Sequence, residues 1–235
     1  MKNMIKAQRY RFTHSGVLWT VIAALFFFAL IAILTGSYNS AEAALRSVFR
    51  DIAVMLLGSS VYGTIILSED YSNGLLYHYI AAGYKRASVI CAKFVYYLLG
   101  CCILLFIYPL LSVTFTAVIC GIETSYVSLS LDFIVLFVKS LPLYLGIMGL
   151  FFLATILFQK AAIAMAISVA LSLFFTGFPS IFRNVSFLKF TPMIQLSSIT
   201  ASSFSVEYLI TAILSLCFLG LCLGGSVLKI NRDQF

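Results

Sequence analysis

The sequence predicts an all-α membrane protein, one transmembrane domain over residues 1–235 with six spanning helices, and three observations predict it. The first is composition: 62% of the residues are hydrophobic, 10% are charged and the mean hydropathy is +1.08, whereas soluble domains carry roughly 25% charged residues. The second is that the apolar residues gather into stretches long enough to cross a bilayer, which takes about 20 helical residues. The third is that the basic residues collect in alternate connections between those stretches, as the positive-inside rule requires. A net charge of +7 in this setting reports orientation rather than nucleic-acid binding, since no basic patch is interleaved with aromatics. Cys91, Cys101, Cys102, Cys120, Cys217 and Cys222 lie in apolar surroundings without a C-x-x-C pair or a nearby histidine, so they read as small hydrophobes and not as a zinc or disulfide framework.

The elements follow in order. Residues 1–14 put Met1, Met4, Ile5, Gln8 and Phe12 on one helical face and Lys2, Lys6, Arg9 and Thr13 on another, the pattern of a basic helix lying in the membrane interface. The first span covers 17–34, longer than the apolar part of a secretory signal. The later spans are placed at 51–68, 89–108, 140–158, 161–176 and 206–228. Two apolar stretches, 89–119 and 131–158, exceed a simple crossing; Pro109 and Pro142 favour kinks in them, so both bend near the outer surface or protrude beyond it. Gly177 and Pro179 are expected to interrupt the fifth span after about 16 apolar residues. The apolar region 180–205, which contains Pro192, then reads as short re-entrant or interfacial helices forming an outer lid, because broken backbone at membrane depth needs protein or water around it.

With both termini inside, Lys2, Lys6, Arg9, Arg11, Lys85, Arg86, Lys93, Lys160, Lys229 and Arg232 lie on the inner side. Only Arg46, Arg50, Arg183 and Lys189 lie on the outer side, which favours a cytoplasmic N-terminus. Lys139 stands apart, with apolar neighbours on both sides. It either lines a hydrated outer vestibule as a functional intramembrane charge or snorkels to the outer headgroups. On the fifth span, the spacings Ala162/Ala166/Ala170 and Ala164/Ser168/Ser172 allow close approach of helix backbones in lipid, which predicts a dimer interface there.

The stretch after the second span carries the most information. Glu69 and Asp70 fall at a helix C-terminus, where the helix dipole disfavours acidic groups, so a partner for them is expected. Leu75, Leu76, Tyr79 and Ile80 then form an apolar stripe on a helix too short to span, which Gly83 ends as its C-cap. Lys85 and Arg86 follow. Such a helix lies on lipid or inserts into a groove of another protein.

Glu69, Gly74, the stripe 75–80, Arg86 and Lys93 in this order resemble the type-2 ABC exporter permeases. The basic N-terminal helix, six spans, a short connection at 159–160 and an interrupted region before the last span extend the resemblance over nearly the whole chain. It implies a half-transporter in a bacterial plasma membrane. Two permease copies, identical or related, would form the conduit, and two copies of a separately encoded ABC ATPase would bind ATP and Mg. The segment 69–86 would couple the two. No G-x-x-x-x-G-K-[ST] loop occurs here, so ATP hydrolysis belongs to the partner. Small permeases of this kind resemble exporters of amphipathic peptides, among them bacteriocin-immunity, bacitracin-resistance and phenol-soluble modulin transporters.

Catalysis finds little support. The two histidines, His14 and His78, both fall near the inner face, so neither a Ser-His dyad nor an H-E-x-x-H metal site can be assembled in the spans. The readings weighed beside an export permease are a passive channel gated by the interrupted helix and an intramembrane enzyme.

Overall fold

The computed structural model describes residues 10, 13, 16–35, 38–50, 53–123, 125–158, 160–182, 191–199 and 205–232. The N-terminal segment expected as an interfacial helix therefore lies, except for Tyr10 and Thr13, outside the described residues. The rest is helical: α1 (Gly16–Leu34), α2 (Ala41–Arg50), α3 (Ala53–Ser72), α4 (Leu75–Ala81), α5 (Arg86–Cys120), α6 (Tyr126–Leu157), α7 (Ala161–Phe182), α8 (Pro192–Ser197) and α9 (Val206–Arg232). Among the described residues, four helices (α1, α5, α6 and α9) are long and apolar enough to cross a membrane, five if α2 and α3, bent by 55°, count as one span. The chain is thus a helical multi-pass membrane protein.

α1 buries Leu18, Val21, Leu25, Ala29 and Ile33 as one stripe and exposes Trp19, Phe27, Phe28 and Ile31. A helix apolar on every side belongs in lipid. α2 is different, since it buries Ala41, Ala44, Leu45, Val48 and Phe49 while Arg46 and Arg50 stay exposed. Ser40 caps it, accepting a hydrogen bond from the Ala43 amide at 3.4 Å, the usual service of a serine before a first turn.

α5 has 35 residues and so runs about 52 Å at 1.5 Å per residue, against a hydrocarbon thickness of about 30 Å. Its excess, like that of α6, is helical through Pro109 and Pro142. A second, smaller core forms there: α2 lays Ala41, Leu45 and Phe49 against Val113 of α5 and Leu129 and Leu136 of α6.

One expectation is corrected. Gly177 and Pro179 do not interrupt α7, which continues to Phe182. Pro179 stands in the last turn, where it removes a single backbone hydrogen bond near an end that frays in any case. Pro192 opens α8, its missing N–H being one that has no partner inside a helix. Of the outer-lid region, only this six-residue helix and its flanks are described, and Met193, Ile194 and Leu196 bury it against the bundle.

Contacts sort the connections into two ends. Thr64 of α3 meets Ser168 of α7 and Arg86 meets Ile230, so α4, the connection 158–160 and the end of α9 share the near end. Cys120 Sγ donates to the Tyr38 carbonyl at 3.6 Å and the Glu123 amide to Glu42 at 3.3 Å, which defines the far end.

Candidate functional site: the short helix at the near end

The site begins where α3 stops. The Asn73 amide bonds the Glu69 carbonyl at 3.0 Å and the Gly74 amide the Tyr71 carbonyl at 3.2 Å. Gly74 then takes φ 63°, a left-handed conformation that costs glycine nothing, and its carbonyl accepts from the His78 amide at 3.2 Å. One glycine therefore closes α3 and starts α4.

The other end of α4 is a Schellman closure. Gly83 has φ 83° and the Tyr84 amide reaches back to the Tyr79 carbonyl at 3.2 Å. The hydrophobic contact that accompanies this motif is aromatic here, the Tyr79 and Tyr84 rings meeting edge to face at 6.4 Å and 77°. Gly83 thus ends the helix as its sequence position foretells.

The remaining site residues take these places. Glu69, Leu75 and Tyr79 are half-buried, while His78, Ala81, Ala82, Gly83 and Lys85 are exposed. Asp70, Leu76 and Ile80 lie on the described backbone of α3 and α4. Tyr79 packs with Tyr71 and Tyr84 against the bundle's own core. Arg86, half-buried, donates from its guanidinium to the Ile230 carbonyl at 3.2 Å, so a cation stands at the C-terminal end of α9, where the helix dipole favours it. Lys93, two turns further along α5, is 5% exposed.

Away from this end, Lys139 is 4% exposed. α9 runs along α6 at this level, the Tyr208 hydroxyl donating to the Lys139 carbonyl at 3.0 Å. The two small-residue series separate: Ala164, Ser168 and Ser172 are buried within the chain, with Thr64 Oγ1 donating to Ser168 Oγ at 3.3 Å. Ala162, Ala166 and Ala170 are exposed.

One feature of the bundle centre has no precedent in the sequence reading. Tyr62 of α3 lies over Gly100 of α5, and Tyr97 of α5 lies over Gly63 of α3. Tyr97 also donates to the Met148 carbonyl at 3.3 Å and Tyr144 to the Met55 carbonyl at 3.4 Å. The only available signal was a tyrosine within three residues of a glycine on each helix. No family model matches the chain, and no curated protein matches it.

Proposed function

We propose that this chain is the permease subunit of an ATP-driven exporter of the type-2 ABC class, moving amphipathic or hydrophobic peptides out of a bacterial cell or its membrane. It works as a six-span subunit with both termini cytoplasmic, paired with a second permease and with two copies of a separate ATPase that bind ATP and Mg. It carries no catalysis of its own. The observation that carries this reading is α4, a seven-residue helix held between two left-handed glycines at one end of the bundle. Such a helix is far too short to cross, and its closure at both ends makes it a preformed element for docking. His78, Ala81 and Ala82 form its exposed side.

The test replaces Leu76 by Asp and, separately, the exposed Ala81 by Glu, and verifies that each variant inserts and runs as a monodisperse protein. Co-purification of an ATPase bearing a phosphate-binding loop is then measured, together with ATP hydrolysis stimulated by amphipathic peptides in proteoliposomes. Both signals fall in at least one variant if α4 is the docking element. Wild-type levels of both signals in both variants reject the assignment.

A further inference from the structure

We infer that the acidic pair at positions 69 and 70 is the counter-charge of the buried Lys93, an ion-pair latch that locks the last turn of α3 to α5 at the root of α4. The argument starts from register. α3 and α5 run antiparallel and touch where Tyr62 lies over Gly100 and Tyr97 over Gly63. Seven residues are two helical turns, about 10 Å. Seven residues on from Tyr62 and Gly63 are positions 69 and 70; seven back from Gly100 is Lys93, which is also one turn before Tyr97. The acidic pair and Lys93 therefore stand level, on faces continuous with the tyrosine–glycine contact.

Charge inventory gives the same answer. Lys93 is 5% exposed, and an ammonium taken out of water persists only against a counter-charge. Of the acidic residues, Glu42, Asp51, Glu123, Asp132 and Glu207 belong by chain position to the far end. Glu69, Asp70 and Asp233 remain for the near end, and Asp233 lies outside the described residues. The latch also accounts for two carboxylates at a helix C-terminus, where the dipole opposes them: their partner is in the same chain.

The consequence rests on the coupling role proposed for α4. With the latch on one side and the Arg86–Ile230 contact on the other, α4 hangs between two anchored roots with a left-handed glycine at each. A push on α4 is then delivered to α3, α5 and α9 together.

Charge exchange tests it on the purified permease alone. Lys93→Glu lowers the apparent Tm in detergent by on the order of 10 °C, the scale of an unpaired buried charge. Lys93→Glu combined with Glu69→Lys or with Asp70→Lys recovers at least half of the loss in one of the two cases. Recovery by Asp233→Lys instead, or by no exchange, overturns the latch. If Lys93→Glu does not fold, Lys93→Met is scored the same way against Glu69→Gln and Asp70→Asn. Because Tm is read without the ATPase, the latch can fail while α4 docking stands, and the reverse.

Discussion

Tyr62 and Tyr97 form a reciprocal interlock, their rings stacked at 6.4 Å with 13° between planes, each occupying the space that a Cβ would need on the glycine of the facing helix. The contact sets the register of α3 against α5, because sliding either helix by one residue drives a ring into a side chain. Both tyrosines are fully or almost fully buried. Among the described residues only one is hydrogen-bonded: Tyr97 donates to the Met148 carbonyl, whereas the Tyr62 hydroxyl has no hydrogen-bond partner there.

That difference separates two conservative substitutions. Tyr97→Phe should cost about 0.5–1.5 kcal/mol, the net worth of an ordinary hydrogen bond. Tyr62→Phe should be neutral or stabilising, since it removes a buried hydroxyl without a hydrogen-bond partner among the described residues. Thermal melts of the two purified variants decide it, and a larger loss for Tyr62→Phe contradicts the hydrogen-bond pattern.

Gly63→Ala and Gly100→Ala should each destabilise by about 1–3 kcal/mol, the cost of overpacking a close contact. Pairing Gly100→Ala with Tyr62→Ala should relieve part of the cost, while pairing it with Tyr97→Ala should not. A double-mutant cycle on apparent Tm measures the difference.

Gly83→Val forces a β-branched residue to φ 83° at about 1–2 kcal/mol. Since α4 lies at the edge of the bundle, the cost should appear locally. Hydrogen exchange is expected to speed up at the Tyr84 amide, which bonds Tyr79, with Tm nearly unchanged. Gly83→Asn should do less, because asparagine visits this region.

The two sides of α7 should answer differently to bulk. Ser168→Leu, at a position with no exposed surface, should disrupt packing against α3 and reduce folded yield. Ala166→Leu, on the exposed side, should leave the monomer folded and lower the dimer fraction in crosslinking if this side carries the permease pair. An unchanged dimer fraction removes α7 from that role.

Much of the near end was legible in the sequence, because its signals are local. Gly83 closing α4 and the apolar run before it can be read within ten residues of chain. Pro179 was misread for the same locality: a proline that would break a helix interior is tolerated in a final turn, and the sequence does not announce where that turn falls. The interlock of residues 62 and 97 and the contact of Arg86 with Ile230, 144 positions apart, depend on which helices become neighbours. Burial of Lys93 and Lys139 belongs to the same class. A lone lysine in an apolar run looks alike whether it ends among side chains or at headgroups.

The unequal helix lengths carry a consequence for the bilayer. Among the described residues α1 runs 19 residues, about 28 Å, close to the hydrocarbon thickness of about 30 Å, while α5 alongside it has 35 residues and exceeds that thickness by about 20 Å. Hydrophobic mismatch will therefore fall unevenly around the bundle. In lipids with longer acyl chains α5 still has helix to spare, and the bilayer must adjust at the shorter helices instead. The rim of this protein thus answers differently to membrane thickness from one side to the other.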